Sequence, residues 1–244
     1  MADKHRIVQT AVLDVPVTVE RPPYNPGPEE VELLPNAGTA RANKAASTRA
    51  PEGTPGWADA HSRQTVLQQH CDFFDTDKDS VIWPLDTFRG FYALGFGIAL
   101  SLLSMFVIHS NFSYPTCPTW VPDPFFRLFL DNIHKAKHGS DTGTYDNEGR
   151  FISQKFEDFF NKYSKGQDGL TFRDVLDGLK GQRLIMDPVG WFGAFFEWIA
   201  TWILLWPEDG VMKKEDIRRV YDGSIFYDIA AKRAGTAKAK KKAA

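Results

Sequence analysis

A chain of 244 residues with a net charge of -2 and a charged fraction of 25% holds one or two small domains, and so balanced a charge gives no reason to expect a nucleic-acid partner. Aromatic residues make up 14%, with 19 Phe and 7 Trp, which suits a large core or a surface that meets lipid. The two cysteines, Cys71 and Cys117, form no disulfide framework and fit a reducing compartment.

In chain order, Met1–Thr10 is polar and lacks the apolar core of a secretory signal, which predicts the cytosolic side. Residues 1–60 carry eight of the 15 prolines with scattered charges and few large apolar groups, and are predicted to be an unfolded tail. Over 61–90, Val66, Leu67, His70, Phe73 and Phe74 recur at helical spacing, an acidic loop follows, and a second helical stretch runs from Leu85 through Phe88.

Residues 91–124 form the most apolar part of the chain, with no carboxylate, lysine or arginine between Arg89 and Asp123. Phe91–Tyr114 is long enough, as a helix, to cross a hydrocarbon layer of about 30 Å. Pro115, Pro118, Pro122 and Pro124 then help the chain to reverse, and Arg89 on one side with Arg127, Lys135 and Lys137 on the other predicts that both ends stay on one face. A hairpin or shallow insertion is the leading reading; a buried core helix and an ordinary span are the alternatives. Over 125–232 helical patterns alternate with polar turns, and residues 189–206 form a second apolar block with one carboxylate, Glu197, read as core or interfacial. Residues 233–244 form a basic tail, predicted to be disordered.

The sharpest chemical motif is Asp75-Thr76-Asp77-Lys78-Asp79-Ser80-Val81-Ile82-Trp83-Pro84-Leu85-Asp86. Asp75, Asp77, Asp79, the Val81 carbonyl and Asp86 occupy the ligand positions of an EF-hand loop, and such clustered hard oxygen donors suit calcium. Ser80 replaces the usual glycine and Asp86 the usual glutamate, and both changes are expected to weaken the site. Residues 165–172 and 208–217 keep an Asp-Gly turn without the first carboxylates and are read as degenerate copies with a structural role. The fold is therefore predicted to be mainly α, with an EF-hand-like helix-loop-helix core, small strand pairings that join the calcium loop to a degenerate partner, and a central membrane-associated helix or hairpin. His134 and His138 are spaced to share a helical face, but that spacing alone reads as a solvated basic face rather than a metal pair.

Several motifs in a fixed order resemble the caleosins, also called peroxygenases. They are LQQHCDFFDTDKDSVIWPLDTFRGFYALGF from Leu67, the prolines at 115, 118, 122 and 124, NIHKAKHGSDTGTYDNEGRF over Asn132–Phe151, and IRRVYDGSIF over Ile217–Phe226. The resemblance implies one calcium site, a proline-knot lipid anchor and a b-type haem. Its implied activity moves oxygen from a fatty-acid hydroperoxide to an unsaturated fatty acid or other apolar acceptor. It implies His70 and His138 as haem-binding and catalytic residues, one the proximal ligand and the other distal or labile, with the assignment open. The implied setting is the lipid-droplet monolayer or the endoplasmic reticulum membrane, with the functional domains facing the cytosol; a homo-oligomer stays open. Lys135 and Lys137 could steer a fatty-acid carboxylate or form a solvated turn. His70 lies five residues before Asp75, so calcium is expected to fix the helix that carries it. The rival readings are a non-enzymatic calcium-responsive coat or tether on lipid droplets, and a plain calcium sensor.

Overall fold

The computed structural model describes residues 42–243, with side chains through residue 236. The part of the predicted unfolded tail before residue 42 lies outside the described residues. The rest is mainly helical with a central apolar helix, as the sequence predicts.

Two short ribbons organise four helix-loop-helix units. After a single turn, α1 (Trp57–Ala60), the first ribbon joins the unit α2 (Val66–Asp72), β1 (Val81–Ile82), α3 (Pro84–Leu94) to the unit α4 (Gly97–Thr116), β2 (Leu128–Phe129) and a 3-10 helix (Leu130–Ala136). β1 and β2 are antiparallel, with Val81 opposite Phe129 and Ile82 opposite Leu128. The second ribbon joins α5 (Ser153–Tyr163), β3 (Gly169–Thr171), α6 (Phe172–Gln182) to α7 (Pro188–Leu205), β4 (Val211–Lys213), α8 (Lys214–Tyr221), and α9 (Ser224–Ala243) follows. β3 and β4 pair with Leu170 opposite Met212. The calcium loop was expected to pair with a degenerate copy. Instead the two degenerate copies pair with each other, and the predicted calcium loop takes Leu128–Phe129, a strand hidden behind the proline-rich stretch.

Local signals start the helices where they begin. Thr65 and Gln68 cap α2 reciprocally, at 3.3 and 2.9 Å, Thr171 and Asp174 do the same for α6, and Asp187 accepts from the Gly190 amide at 3.0 Å to start α7. Between α3 and α4 the chain turns at Gly95, whose φ of 101° suits glycine. One apolar core holds Val66, Phe151, Phe156, Leu170, Met212 and Ile217. A second holds Phe74, Ile82, Leu94, Leu128, Ile133 and Phe226.

The predicted tail boundaries need correction at both ends. Residues 42–60 are folded: Ala42 bridges to Phe151, Ala45 is buried, and the carbonyls of Asn43 and Ala45 accept from Gln69 at 2.7 Å and Arg218 at 2.9 Å. Polar pins of this kind leave no trace in hydropathy. The basic tail continues as helix to Ala243, since alanine and lysine are strong helix formers.

Asp72, at the end of α2, gathers Lys78 at 2.6 Å, Tyr227 at 2.7 Å and Gln64 at 3.0 Å. Burial pushes its carboxyl up, but hydrogen bonds from His61, Lys78, Tyr227 and Gln64 outweigh burial and hold it well below the carboxylate range. A depressed folded pKa stabilises the fold above the unfolded value, near 4, and that stability is lost as pH falls through the folded value. Asp72→Asn is therefore expected to cost about 2–3 kcal/mol at pH 7, with the gap from wild type narrowing at pH 3. Urea melts at both pH values measure it, and equal gaps would remove the carboxylate from the account.

Candidate functional site

The predicted calcium loop sits between α2 and α3. The carboxylates of Asp75, Asp77 and Asp79 converge, with one oxygen of each within 4.8 Å of the others. Asp75 is buried and accepts from the amides of Ser80 at 2.9 Å and Asp79 at 3.2 Å. Asp79 in turn accepts from the Val81 amide at 2.8 Å. Burial raises the Asp75 carboxyl, and the Asp79 charge pushes the same way; a cation there would relieve both. Lys78 turns away to Asp72, so no ammonium competes for the centre. This donor set fits a hard divalent ion. Asp86 is not brought into the cluster: its carboxylate accepts from the Trp83 amide at 3.1 Å and lies 3.7 Å from Arg89. Ser80 has a φ of 65°, the left-handed turn that the sequence predicts at this position. Ser80→Gly is expected to stabilise the protein by about 1 kcal/mol, seen as a higher urea midpoint; an unchanged midpoint would mean the turn carries no strain.

A cavity of about 310 Å³ lies between the two pairs of units and is mostly apolar-walled by residues from α2, α3, α4 and α7. His70 and His138 both line it. Residues far apart in sequence thus meet at one site. Helix α2 carries His70. Its Nδ1 lies 2.7 Å from the Val220 carbonyl, and since a carbonyl only accepts, Nδ1 holds the proton. Burial lowers the pKa of His70, against the smaller opposing effect of Val220, so the ring is neutral and Nε2 keeps its lone pair. A backbone carbonyl on one nitrogen with the other free is the usual preparation of a metal-binding histidine. Cys71 also lines the cavity, but burial pushes its thiol up to about 12, so it offers no thiolate.

His138 differs. Its Nε2 lies 3.4 Å from Glu197 Oε1 on α7, and its Nδ1 is buried with no hydrogen-bond partner among the described residues. Burial pulls the imidazole pKa down, but Glu197, Asp141 and Asp187 outweigh burial and raise it. One turn before Glu197, Gly193 leaves the space that the ring needs: a Cβ there would stand 3.0 Å from His138 Cδ2. Glu197 and Gly193 were not singled out as site residues from the sequence. The available signal was that Glu197 is the lone carboxylate in an apolar block.

His134 takes no part. It lies in the 3-10 helix, which ends at Ala136 before His138, so the two do not share a helical face, and His134 does not line the cavity. Lys137 lines the cavity but is paired with Asp141, which occupies it as a carboxylate clamp. His109 of α4 is a satisfied core histidine, with Nε2 2.7 Å from Thr87 Oγ1 and Nδ1 2.6 Å from the Phe126 carbonyl.

The fold and site together define an EF-hand-like helical protein with a carboxylate loop and an apolar cavity faced by two histidines. The family model described as "Caleosin related protein" matches residues 62–230, and the chain belongs to the caleosin family. It is 37% identical over 238 residues to the protein named "Peroxygenase" from Lilium longiflorum, covering 97% of this chain and 98% of the relative. It is 38% identical over 168 residues to "Probable peroxygenase 4" from Arabidopsis thaliana, covering 68% and 86%. A third relative from Arabidopsis thaliana, "Probable inactive peroxygenase-like protein", is 32% identical over 155 residues, covering 63% and 74%. No solved structure matches the chain.

Proposed function

We propose that this chain is a calcium-binding, haem-dependent peroxygenase of a lipid surface. The observation that carries the reading is the apolar cavity shared by a carbonyl-anchored His70 and a carboxylate-paired His138. The peroxygenase names of the two relatives over most of the chain support it. The free Nε2 of His70 and the orphaned Nδ1 of His138 fit a haem b, which His70 would hold and His138 would face, both lining the cavity. Haem b, when bound, supplies cleavage of the hydroperoxide O–O bond and delivery of one oxygen atom to an olefin or sulfide, while the hydroperoxide leaves as its alcohol.

The protein's own residues bind, orient and move a proton. Val220 keeps the His70 ring in one tautomer. The Nε2–H of His138, directed toward Glu197, leaves Nδ1 as the basic nitrogen that takes the hydroperoxide proton and returns it to the departing oxygen. Phe91, Phe112, Phe196 and Leu204 exclude water and suit an acyl chain.

Helix α4 supports the lipid setting. Its buried residues are Ser101, Ser104, His109, Ser113 and Thr116, all polar, while Ile98, Leu102, Leu103 and Phe106 are exposed. A helix in water has the reverse arrangement, and small polar residues inward with apolar ones outward is the pattern of a helix facing lipid. α4 packs beside α3 and returns to β2 and the 3-10 helix, so both its ends stay with the domain, as an insertion into a droplet monolayer requires.

The test is the visible spectrum and turnover of the full chain supplied with haem, with a fatty-acid hydroperoxide as oxygen donor and a sulfide as acceptor. A Soret band and stoichiometric sulfoxide are expected. Because Lys78 of the calcium loop holds the end of the helix that carries His70, both signals are expected to fall when calcium is chelated. Folded, calcium-loaded protein that retains no haem would leave a calcium-responsive coat protein instead.

A further inference from the structure

The second apolar block is as unusual as the first. α7 is 18 residues long, apolar enough to cross a membrane by composition, and only 11% buried. Its fully buried residues are Gly190 and Ala194. The turn before it exposes Ile185 and Met186 at 90% and 87%, and Val189, Phe192 and Phe195 continue the exposed stripe along the helix. Such a contiguous apolar face is unstable against water.

Three observations say what covers it. First, the cavity opens on this face: Val189 and Phe192 of α7 and Asn111 of α4 are exposed and also line the cavity. The stripe thus runs up to the mouth, which α4 borders at Asn111. Second, tryptophans mark the ends, Trp191 on α7, Trp206 just after it and Trp120 just beyond α4, as aromatic rings mark the depth of lipid headgroups. Third, each end of α7 carries cations without an acidic partner among the described residues. Arg183 lies 5.1 Å over the Trp191 ring, and Lys232 and Arg233 share a small groove with Trp206, Ile203 and Leu94. Cations and tryptophans at both ends of a helix about 27 Å long suit a helix lying along an anionic interface, with its middle in the acyl region.

We propose that the Leu184–Met186 turn and the outer face of α7 enter the same lipid surface as α4, so that the cavity opens into lipid and its apolar substrate arrives without crossing water. This rests on the lipid setting and substrate class proposed above, and adds the second contact and the route.

The experiment uses the full calcium-loaded chain with Met186→Cys in a Cys117→Ser background, labelled at residue 186 with nitrobenzoxadiazole; the raised thiol of Cys71 leaves it unlabelled. Triolein droplets coated with phosphatidylcholine and phosphatidylserine are added, with or without brominated acyl chains. The expected result is a blue shift with quenching by the brominated lipid on droplets that float with protein. Protein that floats while its label stays water-like and unquenched would overturn the inference and leave the α4 anchor standing. Failure to float would overturn both. A blue shift without lipid that grows with protein concentration would assign the face to a second copy and overturn it too. The route is read separately with Ile185→Ser/Met186→Ser/Phe195→Ser, none of which lines the cavity. Turnover of a droplet-dissolved hydroperoxide is expected to fall several-fold, with turnover of a water-soluble hydroperoxide unchanged; equal effects on the two donors would sink the lipid route.

Discussion

Arg218→Met is expected to cost about 3–5 kcal/mol, a large share of the roughly 5–15 kcal/mol that holds an ordinary domain together. Arg218 is 2% exposed. Its guanidinium donates to Glu215 at 2.6 Å, to the Ala45 carbonyl at 2.9 Å, and to Asp222 and Thr54 at 3.1 Å each. Methionine fills much of the volume but leaves Asp222, itself fully buried, without its cation. Lysine would not rescue, because a single ammonium cannot reproduce the fork that spans four partners. The loss should appear as a drop in melting temperature of about 10 °C. It should also appear as new proteolytic cleavage between residues 42 and 56, the segment that Arg218 pins. Since α8 also supplies the Val220 carbonyl to His70, haem retention should weaken in parallel. A loss below about 1 kcal/mol would mean that water replaces the network readily and that residues 42–56 are held by other contacts.

The second large effect separates the two histidines. With His70→Ala, the haem Soret band is expected to be lost or haem affinity to fall by two orders of magnitude or more, and added imidazole should restore part of it by occupying the vacated space. With His138→Ala, haem should stay and turnover should fall about 10²–10⁴-fold, the usual contribution of a positioned acid–base group. The physical basis is the asymmetry of their partners. His70 presents a neutral ring with its proton on a backbone carbonyl, whereas His138 sits beside a carboxylate that raises its basicity. Haem retained by His70→Ala and lost by His138→Ala would reverse the assignment, and equal loss in both would indicate that both rings bind iron in the resting protein.

The aspartate loop shows how far local sequence reaches. Asp75, Asp77 and Asp79 lie within five residues, so the turn that brings them together needs nothing from the rest of the chain, and Ser80 takes the left-handed conformation that the pattern demands. The caps at Thr65 and Thr171 are contacts of the same short reach, spanning three residues each. The apolar segments were legible as composition. Their inside-out arrangement in α4 was not, because which face of a helix is buried depends on what packs against it.

Whatever depends on distant partners stayed hidden. The sequence by itself determined that the chain is mainly helical, that three aspartates share one short loop and that two long stretches are strongly apolar. It also supplied the motifs on which membership of the caleosin family was recognised. Only the tertiary structure decided that residues 42–60 are folded, since polar hydrogen bonds from Gln69 and Arg218 hold them and carry no hydropathy signal. It alone paired the two degenerate loops and placed Glu197 of α7 against His138. A carboxylate 59 positions away becomes a neighbour only when the two pairs of units close around a cavity, and that closure is driven by apolar burial, which is non-directional and leaves no local mark on either residue.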